Sequence, residues 1–199
     1  MASSRRDTPS STASDILDTA ERLVQSRGFN GFSYADVSSE LGITKAALHY
    51  HFAGKAELGE SLISRYNERF DAALVAIDAS EMPPADKLLA YCELYRGTLA
   101  GQRMCLCGML AAEYNTLGEP MREAIGRFFD HNRDWLAALL ESGREAGALG
   151  FAGPVDQAAQ TIIAALEGAM LVARPYRDTA VLDAVIERLV ADFALTRSA

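Results

Sequence analysis

Residues 33–55 read Ser33-Tyr34-Ala35-Asp36-Val37-Ser38-Ser39-Glu40-Leu41-Gly42-Ile43-Thr44-Lys45-Ala46-Ala47-Leu48-His49-Tyr50-His51-Phe52-Ala53-Gly54-Lys55, and this stretch decides the fold. Ser33 and Asp36 form an S-x-x-D signature in which each side chain can bond the other residue's backbone N–H, so a short helix should open there. Val37 and Leu41, four apart, share one of its faces. Gly42 supplies the backbone freedom that ends it. Ile43 can anchor the turn, and Thr44 is a good N-cap for a second helix carrying Lys45, His49, Tyr50 and His51. Two short helices around a tight glycine turn can present the second to the major groove of double-stranded DNA.

Outward from this pair, apolar residues recur three and four apart, and no alternating run rich in β-branched residues interrupts them. The expected fold class is therefore all-α. Ile16, Ala20, Leu23 and Val24 predict a helix over about 13–27, stopped by Gly28, with Phe29 and Phe32 folding back over the head. Leu58, Leu62, Tyr66, Phe70, Leu74 and Ile77 predict a long helix over about 55–79, some 35 Å at about 1.5 Å per residue. Met82-Pro83-Pro84 breaks the chain. Further helices are expected over about 85–100, 104–116, 120–146, 155–173 and 179–195, about nine in all. The organisation implied is a disordered tail at 1–12, a three-helix DNA-binding head at 13–55 and a ligand-binding and dimerisation body at 56–199.

The bulk composition narrows the function class. Apolar residues make up 49% and charged residues 23% of the 199, the usual balance of a soluble globular protein. No run approaches the roughly 20 apolar residues of a membrane span, and the Ser/Thr-rich N-terminus has no apolar core of a secretory signal, so a cytoplasmic location without membrane contact is expected. Cys92, Cys105 and Cys107 are too few and too odd in number for a disulfide framework. The net charge of −8 divides unevenly: residues 1–55 balance six basic against six acidic residues, and the remainder carries the whole excess. A neutral head on an acidic body fits a site-specific reader better than a general nucleic-acid coat.

Residues 14–66 resemble the TetR/AcrR family of one-component transcriptional regulators. The resemblance rests on the Gly28-Phe29 turn, Ser33-x-x-Asp36-Val37, the run Leu41-Gly42-Ile43-Thr44-Lys45-x-x-Leu48-x-Tyr50-His51-Phe52, and Lys55-x-x-Leu58. Ser38 stands where the family commonly has Ala, and His49 where it often has Tyr. Met104-Cys105-Leu106-Cys107-Gly108-Met109-Leu110-Ala111-Ala112-Glu113 is similar to a G-C-L…L-x-x-E segment of the group around the repressor of N-ethylmaleimide reductase, with Met104 in place of its glycine. That resemblance implies a cysteine that senses electrophiles, at Cys105.

Family and chemistry together name the DNA-binding candidates: Ser33, Tyr34, Thr44, Lys45, Ala46, His49, Tyr50, His51 and Lys55. Thr44 can offer its hydroxyl and amide to a phosphate at a helix start. Lys45 can reach phosphate or a guanine edge, and Ala46 can approach a thymine methyl. Tyr50 is a phosphate clamp by resemblance, His51 a second, and His49 a variable base reader. Lys55 should meet backbone phosphate, as should Ser33 or Tyr34 at the first short helix. Metal is rejected, since His49 and His51 are spaced badly for two ligands on a helix and no carboxylate or cysteine joins them. No cofactor is implied.

Sensing candidates are polar residues inside apolar stripes, together with large apolar ones: Tyr95, Cys105, Met109, Glu113, Phe128, Asn132, Trp135, Glu167 and Met170. Glu113, Asn132 and Glu167 are costly to bury alone, so each is either a pocket group or the partner of an arginine such as Arg96, Arg103 or Arg127. The aromatic and methionine side chains either line a cavity for an unknown small molecule or fill the core. A helix N-terminus and Arg103 would both lower the Cys105 thiol pKa, favouring a redox or electrophile sensor; otherwise it is a small buried hydrophobe. The apolar residues Val181, Leu182, Val185, Ile186, Leu189, Val190 and Phe193, with small residues along 155–173, suggest a homodimer formed by the last two helices. No P-loop, G-x-S-x-G or H-E-x-x-H motif points to an enzyme. Activation in place of repression, and an adaptor without DNA binding, stay open at this stage.

Overall fold

The computed structural model describes residues 9–193. Among them are nine α-helices and no strand: α1 (Pro9–Arg27), α2 (Tyr34–Leu41), α3 (Lys45–His51), α4 (Lys55–Asp78), α5 (Pro84–Ala100), α6 (Leu106–Ala112), α7 (Glu119–Glu145), α8 (Val155–Ala173) and α9 (Ala180–Phe193). Two 3₁₀ turns, Tyr114–Thr116 and Arg174–Tyr176, lie after α6 and α8. The first helix starts at Pro9, so the tail expected at 1–12 overlaps it, and its residues 1–8 lie outside the described part. The helix expected over 104–116 is shorter, because Glu113 leaves helical geometry and the chain tightens into the first 3₁₀ turn. Among the described residues no helix is long and apolar enough to cross a membrane.

The local signals in the Ser33–Lys55 stretch act as their chemistry dictates. Ser33 caps α2, with its backbone N–H donating to Asp36 Oδ2 at 2.7 Å and its hydroxyl accepting from the Asp36 N–H. The Ser33 hydroxyl, donating to Asp36 Oδ2 at 2.6 Å, and next the Ser33 N–H hold the Asp36 carboxyl below the usual carboxylate range. Gly42 ends α2 with φ +66°, the left-handed conformation that a side chain resists although the space around it is open. Thr44 then caps α3 by accepting the Ala47 N–H at 3.1 Å. Leu48 is fully buried and sets α3 against the rest of the head.

α1 packs on α2, α4 and α6, so the head is seated on α4 and α6 rather than hung from a linker. α7 lies against α8, α4 and α5, and α9 against α8 and α5. Between α4, α5 and α7 sits an aromatic cluster: Phe70 lies 5.2 Å from Phe128 and about 6 Å from Tyr66, Tyr91 and Tyr95 (6.2, 6.2 and 6.3 Å), and Trp135 stacks on Tyr91 at 5.4 Å. Such rings gain from offset and edge-to-face contact beyond the area they bury.

Candidate nucleic-acid interface and buried thiol cluster

α3 divides cleanly into two faces. Leu48 and, after the helix, Phe52 point inward, while Thr44, Lys45, Ala46, His49 and Tyr50 are exposed and His51 is half-buried. Tyr50 is 83% exposed, with its ring edge-on to His51 at 5.3 Å and its phenol open to a ligand. His49 is exposed but not loose: its ring leans on Tyr34 at 4.9 Å, and Nδ1 lies 3.0 Å from the Ala53 carbonyl. A carbonyl only accepts, so Nδ1 carries the proton and Nε2 of the neutral ring is left as an acceptor.

Two of the expected DNA-contacting side chains are turned to other work. The Tyr34 hydroxyl donates to the Phe52 carbonyl at 3.1 Å, bracing α2 against the end of α3, and burial with the Glu57 charge pushes its pKa to about 12. The Lys55 ammonium donates to the Phe32 carbonyl at 2.5 Å and lies over the rings of Phe29 and Phe32, 4.7 and 4.3 Å from their centroids. A carbonyl and two π faces make a cation site, and its burial lowers the lysine pKa. The free phosphate reader expected at Lys55 is thus an internal brace between the loop before α2 and the start of α4. Ser33 is exposed, but its hydroxyl is spent on the α2 cap.

In the body, the expected cavity residues close on one another. Tyr95, Phe128 and Met170 are buried, and Met109 is 9% exposed. Asn132 is fully buried and satisfied, its Nδ2 donating to the Phe128 carbonyl at 2.9 Å and its Oδ1 accepting from the Tyr91 hydroxyl at 3.1 Å. Trp135 donates from Nε1 to Asp78 at 2.9 Å. Asn132 is therefore a structural partner and not an open pocket group, because a buried polar group must be paired to be tolerated, whereas Trp135 also lines a surface cleft of about 250 Å³ with Met82 and Leu139.

Cys105, Cys107 and Glu167 form a different kind of site. Cys105 is the N-cap of α6, its sulfur accepting from the Gly108 N–H at 3.4 Å and the Tyr66 hydroxyl at 3.7 Å. Burial, and next the charge of the neighbouring Glu167, push its thiol well above the usual range, and the Gly108 amide is outweighed. The expectation of a lowered pKa is overturned, since Arg103 is exposed while the carboxylate is close. Burial likewise raises the Cys107 thiol. Glu167 itself is pushed up to about 7 by burial, opposed by Cys105, and its Oε1 is buried with no partner among the described residues. Cys92 is a buried thiol raised to about 12, as a core cysteine should be.

The comparisons with known proteins bear on both halves of this arrangement. Residues 16–62 match the family model described as bacterial regulatory proteins, tetR family, and residues 84–189 match the tetracyclin repressor-like C-terminal domain. The chain belongs to the TetR family. It is a transcriptional regulator, not an enzyme. Among its relatives is the HTH-type transcriptional repressor NemR of Escherichia coli (strain K12), 29% identical over 85% of this chain and 87% of that protein. Another, the HTH-type transcriptional repressor DhaR of Mycobacterium sp. (strain GP1), is 22% identical over 84% and 85% of the two. A TetR-family regulator from Agrobacterium tumefaciens superposes with a TM-score of 0.90 at 33% identity, covering 94% of this chain and all of that one. The reduced form of E. coli NemR superposes with a TM-score of 0.82 at 26% identity, covering 94% and 98%.

In this TetR-family regulator, head and body are joined by polar contacts that the sequence did not signal. The Glu113 carboxylate accepts the backbone N–H of Phe29 at 2.6 Å and of Asn30 at 3.2 Å, in the turn after α1. Gly28 lets it in: φ there is +88°, and a Cβ would stand 2.7 Å from Glu113 Oε1. Glu113 is thus a latch on the head, not the pocket group expected. Arg174 donates to the Ser26 carbonyl at 2.6 Å, and the Met104 N–H to that of Gln25 at 3.1 Å. On the other side of α1, Glu21 is held by Arg65 and Arg69 of α4. The only hint of this last group in the sequence was the i, i+4 pair Arg65 and Arg69, whose partner lies far away in the chain. Glu113→Ala should lower stability by about 1–2 kcal/mol, the lower part of the range for charge-assisted bonds because water reaches the half-buried site. The shift in urea midpoint checks it, and an unchanged midpoint would remove the latch.

Proposed function

We propose that this regulator is a cytoplasmic repressor that binds a palindromic double-stranded DNA operator as a homodimer and is released by a small molecule or by modification of Cys105. The observation that carries the reading is the exposed face of α3, where Thr44, Lys45, Ala46 and Tyr50 stand together over a buried Leu48. Lys45 and Tyr50 contact phosphate or base edges, and the His49 Nε2 acceptor reads a donor. Residues 13–55 serve as the DNA-binding unit and the rest as the sensing and dimerising unit. The names of NemR and DhaR, both repressors, support the sign of regulation.

Dimerisation falls to α8 and α9. Leu182, Ile186, Leu189 and Phe193 are buried within the protomer, which leaves Val185 half-buried and Leu171 and Val172 exposed for a second copy. A two-fold pairing there would place two α3 helices on half-sites about 34 Å apart.

For sensing, the thiol–carboxyl pair supplies the chemistry. With a quinone, the Cys105 sulfur adds to a ring carbon, its proton passes to the Glu167 carboxylate, and the electron pair of the broken C=C goes to the quinone oxygen. The adduct cannot share the packed space around Tyr66 and Gly108, so α6 must move, and with it the Glu113 latch on the head. Binding of the purified protein to DNA flanking its own gene, across a salt series with and without benzoquinone, tests the reading. Specific binding with a steep salt slope, lost with benzoquinone but retained by Cys105→Ser under the same treatment, is expected. Release that Cys105→Ser does not prevent would move the sensor elsewhere, and absence of specific binding at any operator would overturn the repressor.

A further inference from the structure

A cleft of about 490 Å³ lies between α1, α4, α5 and the loop before α6; it meets the buried thiols only at Tyr66, which lines the cleft and whose hydroxyl donates to Cys105. A smaller extension of about 160 Å³ continues it along Phe70, Ala73 and Leu94. Together they fall within the size range of small-molecule sites. Three features mark the cleft as a binding site and not a packing gap. Gln25 lines it at 3% exposure, and its Oε1 is buried without a partner among the described residues. Buried polar side chains are almost always paired, and a half-turn of the terminal amide presents this oxygen to an occupant. Arg103, at the rim, makes no ion pair among the described residues, whereas Arg69 and Glu93 are held by Glu21 and Arg96. On the wall formed by α5, a Cβ on Gly97 would meet nothing within 4 Å, so open space stands beside the backbone.

We propose that this cleft binds a small aromatic carboxylate carrying a hydroxyl. The carboxylate pairs with Arg103, the ring lies along Tyr66 and Leu94 beside Gly97, and the hydroxyl donates to Gln25 Oε1. Because Gln25 also accepts the Met104 N–H through its backbone, an occupant touches the seam between α1 and the loop before α6. The site does not use the Cys105 sulfur, which lies behind Tyr66, and only its effect on DNA rests on the function proposed above. By linkage, the factor by which the ligand changes operator affinity equals the factor by which operator changes ligand affinity.

Calorimetric titration of the full chain with 4-hydroxyphenylacetate, phenylacetate and phenethylamine, without DNA, tests the proposal. We expect one 4-hydroxyphenylacetate per chain, about tenfold weaker binding of phenylacetate, and none of the amine. Gly97→Leu fills the space and Arg103→Ala removes the charge; each should weaken 4-hydroxyphenylacetate by about tenfold or more, and Cys105→Ser should leave it unchanged. Both changed positions face solvent or open space, so circular dichroism should report native helix content. Failure of both carboxylates to bind, preference for the amine, or binding indifferent to Gly97→Leu and Arg103→Ala overturns the site. The hydroxyl introduced by Cys105→Ser can still accept from the Tyr66 hydroxyl, so loss of binding in that variant places the ligand in the buried core and overturns it as well. Ligand binding with no shift in DNA affinity would uphold the site and count only against its coupling.

Discussion

A Lys45→Ala, Tyr50→Ala protein should bind operator about 100-fold or more weakly, because each head loses two contacts that are worth about 1–3 kcal/mol where they read a base and act twice in a dimer. The salt slope should fall as well, by roughly one for each phosphate contact removed. Stability should be nearly unchanged. Both side chains are exposed, and alanine is at least as good a helix former as either. Lys55 would be a poor partner in this test, since its ammonium holds the Phe32 carbonyl and its loss would disturb the head itself. Gel-shift titration at two salt concentrations, with a urea curve on the same preparation, checks the result. Operator affinity within a few-fold of the parent would show that another surface reads the DNA.

Glu167→Gln should stabilise the protein above neutral pH and do little near pH 4.5. The folded carboxyl titrates at about 7 against an ordinary value of 4.5, so the native chain holds its proton over a window in which the unfolded chain has lost it. Stability therefore falls as pH rises from about 4.5 to 7, and the cost persists above 7. The size is on the order of 3 kcal/mol, and glutamine is free of it because it never ionises. Urea midpoints at pH 5 and pH 8, at one protein concentration, should show a gap between the two proteins that opens with pH. A gap of equal size at both values would mean that Glu167 is not the titrating group. The same change should slow alkylation of Cys105 and remove any rise in its rate near pH 7, because the neighbouring proton acceptor is gone.

Much of this architecture is local and was legible in the chain. The α2–α3 pair follows from Ser33, Asp36, Gly42 and Thr44 acting on backbone groups within a few residues. The long helices follow from apolar spacing, which reports the face to be buried whatever lies opposite. The face proposed to read DNA was half legible. Lys45, Ala46 and Tyr50 stand exposed as the pattern requires, but Tyr34 and Lys55 are captured by the carbonyls of Phe52 and Phe32. Nothing in their neighbours along the chain signals those partners.

By itself, then, the sequence determined the helix order, the head and its turn, and the membership of a regulator family, because these depend on contacts between residues close in the chain or on a motif of fixed spacing. Only the tertiary structure decided which charged and polar residues meet. It brings Glu113 to the Phe29 amide 84 positions away, buries Cys105 beside Glu167 so that the thiol is raised and not lowered, and leaves Gln25 Oε1 without a partner among the described residues beside an open cleft. The physical reason is common to all three. Hydrogen bonding and desolvation depend on distances of a few ångströms, and for residues far apart in the chain those distances exist only once the helices have packed.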